Sequence, residues 1–192
     1  SGRVLKPGVN LAETTPLEVR GRLPFVSRGG LKLASALDTF GLRVNGLVAL
    51  DVGASTGGFT DCLLQRGASE VHAVDVGVGQ LHYRLRQDSR VTVIEKCNAR
   101  YPFELPELVD ILTIDVSFIS LTLVLPSVMS HLKPGSSAVT LVKPQFEAQR
   151  EEVGRGGVIK APEVHVRVLE KVIGWSYEQG IEGLDQCESP IL

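Results

Sequence analysis

Cysteine is scarce in this chain of 192 residues: Cys62, Cys97 and Cys187 are odd in number and form no CxxC. No histidine stands near them at zinc-ligand spacing, which argues against a disulfide framework and a structural zinc, and no metal is expected. Free thiols of this kind suit a reducing cytoplasm. A signal-peptide pattern is lacking. No apolar run approaches the ~20 residues of a membrane span, so no membrane partner is expected. Net charge is also small, at −2, which at first sight argues against a polyanionic partner. What is present is ordinary globular material, with 43% hydrophobic and 22% charged residues. At ~100–200 residues per domain the length admits one domain. A chain of this size buries roughly 70% of its unfolded surface and needs no covalent staple.

The small net charge hides an asymmetry. Residues 1–32 carry Arg3, Lys6, Arg20, Arg22, Arg28 and Lys32 against Glu13 and Glu18, a local +4 that leaves −6 for the remainder. A basic arm on an acidic body places any polyanion contact at the N-terminal end, although a solvated tail has the same composition. Between Arg3 and Pro24 three prolines (Pro7, Pro16, Pro24) interrupt a stretch without helical period. This segment reads as an extended linker or as the last piece of another module.

Beyond Pro24 the chain alternates. Leu33, Ala36, Leu37 and Phe40 recur at helical spacing, predicting an amphipathic helix over residues 30–41 that Gly41 closes. Short apolar runs follow at 47–52, 71–76, 91–95, 109–116 and 137–143, as expected of strands buried on both faces. Helix-length segments lie between or after them at 58–66, 79–87, 119–132 and 162–179. This alternation predicts an α/β fold, a doubly wound, mostly parallel sheet with helices on both faces. The final segment, IEGLDQCESPIL, is expected to begin a further strand, with the sequence ending before the domain does.

The first strand runs into Asp51-Val-Gly-Ala-Ser-Thr-Gly-Gly-Phe-Thr60, a glycine loop opening a helix. A dinucleotide fingerprint needs glycine where Ser55 stands, because backbone must approach the pyrophosphate there. A phosphate-binding P-loop has its spacing matched by Gly53, Gly58 and Thr60, but Phe59 replaces the essential lysine. An acidic residue, a glycine and a Gly-Gly pair remain, which suits a ligand with an amino acid end and no phosphates, such as S-adenosylmethionine. Asp75, ending the second strand, is placed to accept from a ribose diol, or serves simply as a turn residue. Cys97-Asn98-Ala99 follows the third strand, where such sheets line a ligand crevice, and reads equally well as a plain turn.

Asp115 and Lys143 fall at the carboxyl ends of the fourth and fifth strands, where α/β sheets place their chemistry. Lys32 sits in the first turn of its helix, where the positive end of the macrodipole disfavours a cation. The functional reading of these three is a general base beside a second cation. The competing readings are a structural ion pair and a solvated lysine. Phe59, Phe118 and Phe146 each follow a strand end and could rim the site for base stacking, or be packed loop residues. The stretch 147–157, with charges and Gly154, Gly156 and Gly157, reads as a mobile flap.

The motifs FVSRGGLKL, DVGASTGGFTD, DVSFISL and LVKPQFE, with GRGGVIK and ESPIL, resemble the TlyA (haemolysin A-like) group of ribosomal RNA 2′-O-methyltransferases, within the FtsJ-like class. The resemblance runs from about residue 25 to the end. It implies a Rossmann-like, S-adenosylmethionine-dependent methyltransferase domain over 25–192, missing its C-terminal strand, and makes residues 1–24 the linker and remnant of an S4-type RNA-binding domain. It also implies a catalytic lysine–aspartate–lysine–glutamate tetrad, matched here by Lys32, Asp115 and Lys143, with the glutamate falling beyond Leu192. The expected cofactor residues are Asp51, Gly53, Ser55, Thr56, Gly57, Gly58, Phe59, Asp75, Asn98, Ala99 and Asp115. Arg3, Lys6, Arg20, Arg22, Arg28, Phe118 and Phe146 are expected to contact RNA. The implied reaction is methylation of a ribose 2′-oxygen, on cytidine by resemblance, in ribosomal RNA or a ribosomal subunit. Asp115-Val-Ser-Phe118 differs from the Asn/Asp-Pro-Pro-aromatic motif associated with exocyclic amines, which favours oxygen. Two rivals stand: a membrane-active haemolysin, and an inactive module that binds S-adenosylmethionine and RNA.

Overall fold

The computed structural model describes residues 23–191. The expected linker and RNA-binding remnant, and with them Arg3, Lys6, Arg20 and Arg22, lie outside the described residues, except for Leu23 and Pro24. Five strands form one sheet: β1 (Val48–Val52), β2 (Glu70–Val74), β3 (Val91–Ile94), β4 (Val109–Ile114) and β5 (Leu132–Thr140). Their order is β3-β2-β1-β4-β5 and every pairing is parallel. Reversal of the winding at β1 makes this a doubly wound, Rossmann-like sheet, as the alternating pattern predicts.

Side chains alternate across the strands and build two cores. On one face Ala49, Val71, Ala73 and Ile111 pack with Leu33, Leu37, Leu63 and Phe59, from helices α1 (Gly29–Thr39) and α2 (Gly58–Gln65). On the other, Leu50, Val52, Val74, Leu112 and Ile114 pack with Leu121, Leu125 and Val172, from α4 (Leu121–Val128) and α6 (Pro162–Glu178). Burial on both faces is why the strands read as continuous apolar runs. The remaining helices are single turns, α3 (Tyr83–Arg86) and α5 (Pro144–Glu147).

Several expectations need correction. The helix expected over 79–87 is only the turn α3, because Gly77 and Gly79 hold the preceding chain in bends. The helix expected over 119–132 stops at Val128 and tightens into a 3-10 turn over Met129–His131. Strand β5 begins five residues early and ends three short of Lys143, with a register shift opposite Val109–Ile111. Residues 181–191 contain no strand, so the strand expected to begin there is not formed among the described residues. Among the described residues, no helix is long and apolar enough to cross a membrane.

Candidate functional site

The carboxyl ends of β1, β4 and β5 meet the N-terminus of α1, and three charged side chains converge there. Asp115 lies one residue past β4 and Lys143 three residues past β5. Lys143 Nζ stands 2.5 Å from Asp115 Oδ1, and Lys32 Nζ stands 3.8 Å from Asp115 Oδ2. Lys143 also donates to Ser117 Oγ at 2.8 Å. All three retain between 17% and 24% side-chain exposure, so they are packed yet reachable. The lysine that breaks the helix-dipole preference thus has a carboxylate to offset the cost.

Glycines deliver Lys32 to this point. A Cβ on Gly58 would fall 2.8 Å from the Gly30 nitrogen and 3.1 Å from Gly29 Cα. The first turns of α1 and α2 therefore touch through backbone. The segment before α1 is clamped as well: Val26 N–H donates to Asp61 Oδ2 (2.8 Å), and Gln65 Nε2 donates to the Pro24 carbonyl (2.9 Å).

The glycine loop after β1 forms the second half of the site. Gly53 has φ 81°, and a Cβ there would meet the Asp115 carbonyl oxygen at 2.8 Å, so this glycine lets the loop close on the end of β4. Asp75, one residue past β2, accepts from Ser55 N–H and Gly77 N–H, each at 2.7 Å. Its half-buried carboxylate borders a cleft walled by Ala73, Leu81 and Val93. Gln80 forms the outer wall, its amide pressed against Gly77. The cavity measures about 10 Å³, room for a single water. Asp75 could accept from a ribose diol and Ala73, Leu81 and Val93 could face a base, while Gln80 closes the cleft as it stands.

Other expected cofactor residues have different surroundings. Asp51 is completely buried on the α2 face; it accepts from Thr60 Oγ1 (2.6 Å) and from Thr113 Oγ1 (3.1 Å), its register partner on β4. Burial pushes its carboxyl up to about 6, against the pull of those two hydroxyls. It braces strand to helix and does not face the cleft. Phe59 is 5% exposed and sits in the core, so it neither rims the site nor lines the cleft. Gly57 is directed at Leu81 and Leu85, and Gly58 at α1. Thr56 is exposed, with its carbonyl accepting from His82 N–H. Asn98 is exposed and closes its own turn, accepting from Arg100 N–H, while Ala99 is buried in the second core.

The aromatics divide accordingly. Phe118 is 91% exposed with φ 64°, and its ring lies 5.0 Å from that of Phe146 at a 46° tilt. Phe146 in turn lies 5.9 Å from Lys143 Nζ. Arg28, the residue before α1, is also exposed.

Glu147, which sequence reasoning passed over, is the buried anchor of the expected flap. Its carboxylate accepts from Ser120 Oγ (2.5 Å) and Leu121 N–H (2.6 Å), capping α4 from outside. The following residues form two 3-10 turns, with Val153 packed against Ile159, Val164 and Val168. This stretch is a folded lobe and not a free flap. A glutamate following a Lys-Pro strand end gives no period or spacing by which burial could be foreseen.

The chain matches the FtsJ-like methyltransferase family over residues 25–192. It is 50% identical over 182 residues to the Bacillus subtilis protein named "Putative rRNA methyltransferase YqxC", covering 93% of this chain and 65% of that protein. It is 43% identical over 191 residues to the "16S/23S rRNA (cytidine-2'-O)-methyltransferase TlyA" of Mycobacterium tuberculosis, covering 97% of this chain and 71% of the relative. The solved "Putative hemolysin from Streptococcus thermophilus" superposes with a TM-score of 0.83 at 48% identity, over 90% of this chain and 64% of that one.

Proposed function

This chain belongs to the FtsJ-like methyltransferase family, in its TlyA group of ribosomal RNA 2′-O-methyltransferases, and from that premise we propose that it carries the catalytic centre for methylating a ribose 2′-oxygen in ribosomal RNA. The observation that supports the reading most is the Lys32–Asp115–Lys143 constellation beside the glycine loop.

Bound S-adenosylmethionine would supply an activated methyl group on a sulfonium, so the protein needs to provide position and a proton acceptor. Asp75, Ser55 and the backbone around Gly53 would hold the cofactor. Lys143 Nζ would accept the proton that the 2′-hydroxyl gives up as its oxygen takes the methyl group. Asp115, 2.5 Å away, orients that amine, and Lys32 holds the substrate on the opposite side of the carboxylate. Much of the rate then comes from alignment. The exposed Phe118, paired with Phe146, offers a ring for the nucleotide to stack on, and Arg28 offers a phosphate contact. Cytidine is the target base proposed, from the name that the mycobacterial relative carries. Such a substrate places the protein in the cytoplasm with the ribosome.

Replacing Lys143 by Ala should abolish methyl transfer to ribosomal RNA while S-adenosylmethionine binding, read by calorimetry, survives. Retained transfer would remove Lys143 from the base role.

A further inference from the structure

Away from the catalytic end, at the amino end of the sheet, three potential ligands converge that the methyl-transfer reading does not use. Glu70 and His72 are two residues apart on β2 and therefore share a face. Glu107 arrives from the coil leading into β4. One ligand atom from each of the three lies within 4.8 Å of the others. His72 Nδ1 is 3.6 Å from Glu70 Oε1.

His72 is the unusual member. It is completely buried, and among the described residues neither ring nitrogen has a hydrogen-bond partner. Native interiors rarely leave a polar side chain in that condition. Glu70, by contrast, is held in place by Thr92 Oγ1, which donates to its Oε1 at 3.0 Å. A hydrogen bond of this kind fixes a ligating carboxylate in orientation. Glu107 is exposed and free to turn.

We propose that Glu70, His72 and Glu107 form a binding site for a borderline divalent cation of the zinc class. One imidazole and two carboxylates are a donor set that such ions accept, leaving a position for water. Tetrahedral ligands at ~2.0–2.1 Å from zinc lie roughly 3.4 Å from one another. The His72–Glu70 pair is already near that separation at 3.6 Å, and the Glu107 carboxylate stands within 4.8 Å of both. The sequence does not announce it because the third ligand comes from beyond β3. The ion would fasten the helix-free crossover of residues 95–108 to β2 and give the buried imidazole its missing partner.

Chelator-stripped protein titrated with ZnCl₂ in a calorimeter should bind one equivalent, and Co²⁺ should give a visible ligand-field spectrum. At a hundredfold excess over Kd, zinc should raise Tm by roughly 5–10 °C. Hydrogen exchange over residues 95–108 should slow on binding. The Glu107→Gln variant, altered at an exposed position, should keep its fold and bind zinc at least about tenfold more weakly. His72→Gln should bind still more weakly. Absence of zinc binding at millimolar concentration would overturn the proposal. So would an affinity unchanged in Glu107→Gln, which would place the ion elsewhere, for instance at the exposed Cys187.

Discussion

Asp51→Asn offers a quantitative test of how the glycine loop is braced. The Asp51 carboxyl is fully buried and pushed up to about 6 from 3.8, chiefly by desolvation. The folded state therefore holds the proton more tightly than the unfolded chain. Above pH 6 the folded protein must keep this group ionised without water, and stability is reduced by the full amount. As pH falls through 6 toward 3.8 the group protonates in the fold first and the penalty disappears. A shift of about two units corresponds to ~3 kcal/mol at neutral pH. Asparagine has no charge to bury, and hydroxyls from Thr60 and Thr113 can rotate to suit an amide. Urea unfolding of both proteins from pH 5 to 7.5 isolates the group by difference, because other carboxylates act on both alike. Asp38, Asp88, Glu95, Asp110 and Glu152, all held low by cationic partners, cancel in this way. The stability of Asp51→Asn relative to wild type should rise by roughly 1.4 kcal/mol between pH 5 and 7.5. A difference that stays flat across that range, or slopes the other way, would refute the assignment of a raised pKa to a buried, bracing Asp51.

Three further outcomes follow from the same geometry. Glu147→Ala removes the acceptor of both Ser120 Oγ and Leu121 N–H, and should cost ~1–3 kcal/mol in denaturant unfolding; no loss would mean that the cap is replaced by water. Gly58→Ala forces a Cβ to 2.8 Å from Gly30 N and must push α1 off α2. It should lower stability by ~1–3 kcal/mol and reduce methyl transfer by displacing Lys32, whereas full activity would uncouple that helix contact from the site. Phe118→Ala removes a ring that is 91% exposed, so Tm should hold while KM for ribosomal RNA rises; an unchanged KM would exclude stacking on this ring.

Strand and helix identities were legible because they depend on local pattern. Runs such as Val48–Val52 and Val109–Ile114 must be apolar throughout to be buried on two faces, and α1 must repeat Leu33, Ala36 and Leu37 on one stripe. The glycine loop after β1 was legible as well, and the structure uses Gly53 and Gly57 there at positive φ. The candidates Lys32, Asp115 and Lys143 could be named individually from strand ends and a broken dipole rule. The resemblance grouped them as a tetrad, but the geometry of their meeting rests on a glycine contact between α1 and α2 and on the β4–β5 pairing. Direction of side chains was likewise a tertiary matter. Phe59 and Phe118 both follow strand ends, yet one is core and the other solvent, because only the first lies on a helix face covered by a neighbour. Asp51 turned toward Thr113, Glu147 toward α4, and His72 toward Glu107, each through a partner distant in sequence. Local periodicity settles which backbone forms where; what a polar side chain does is decided by the atoms that packing brings opposite it.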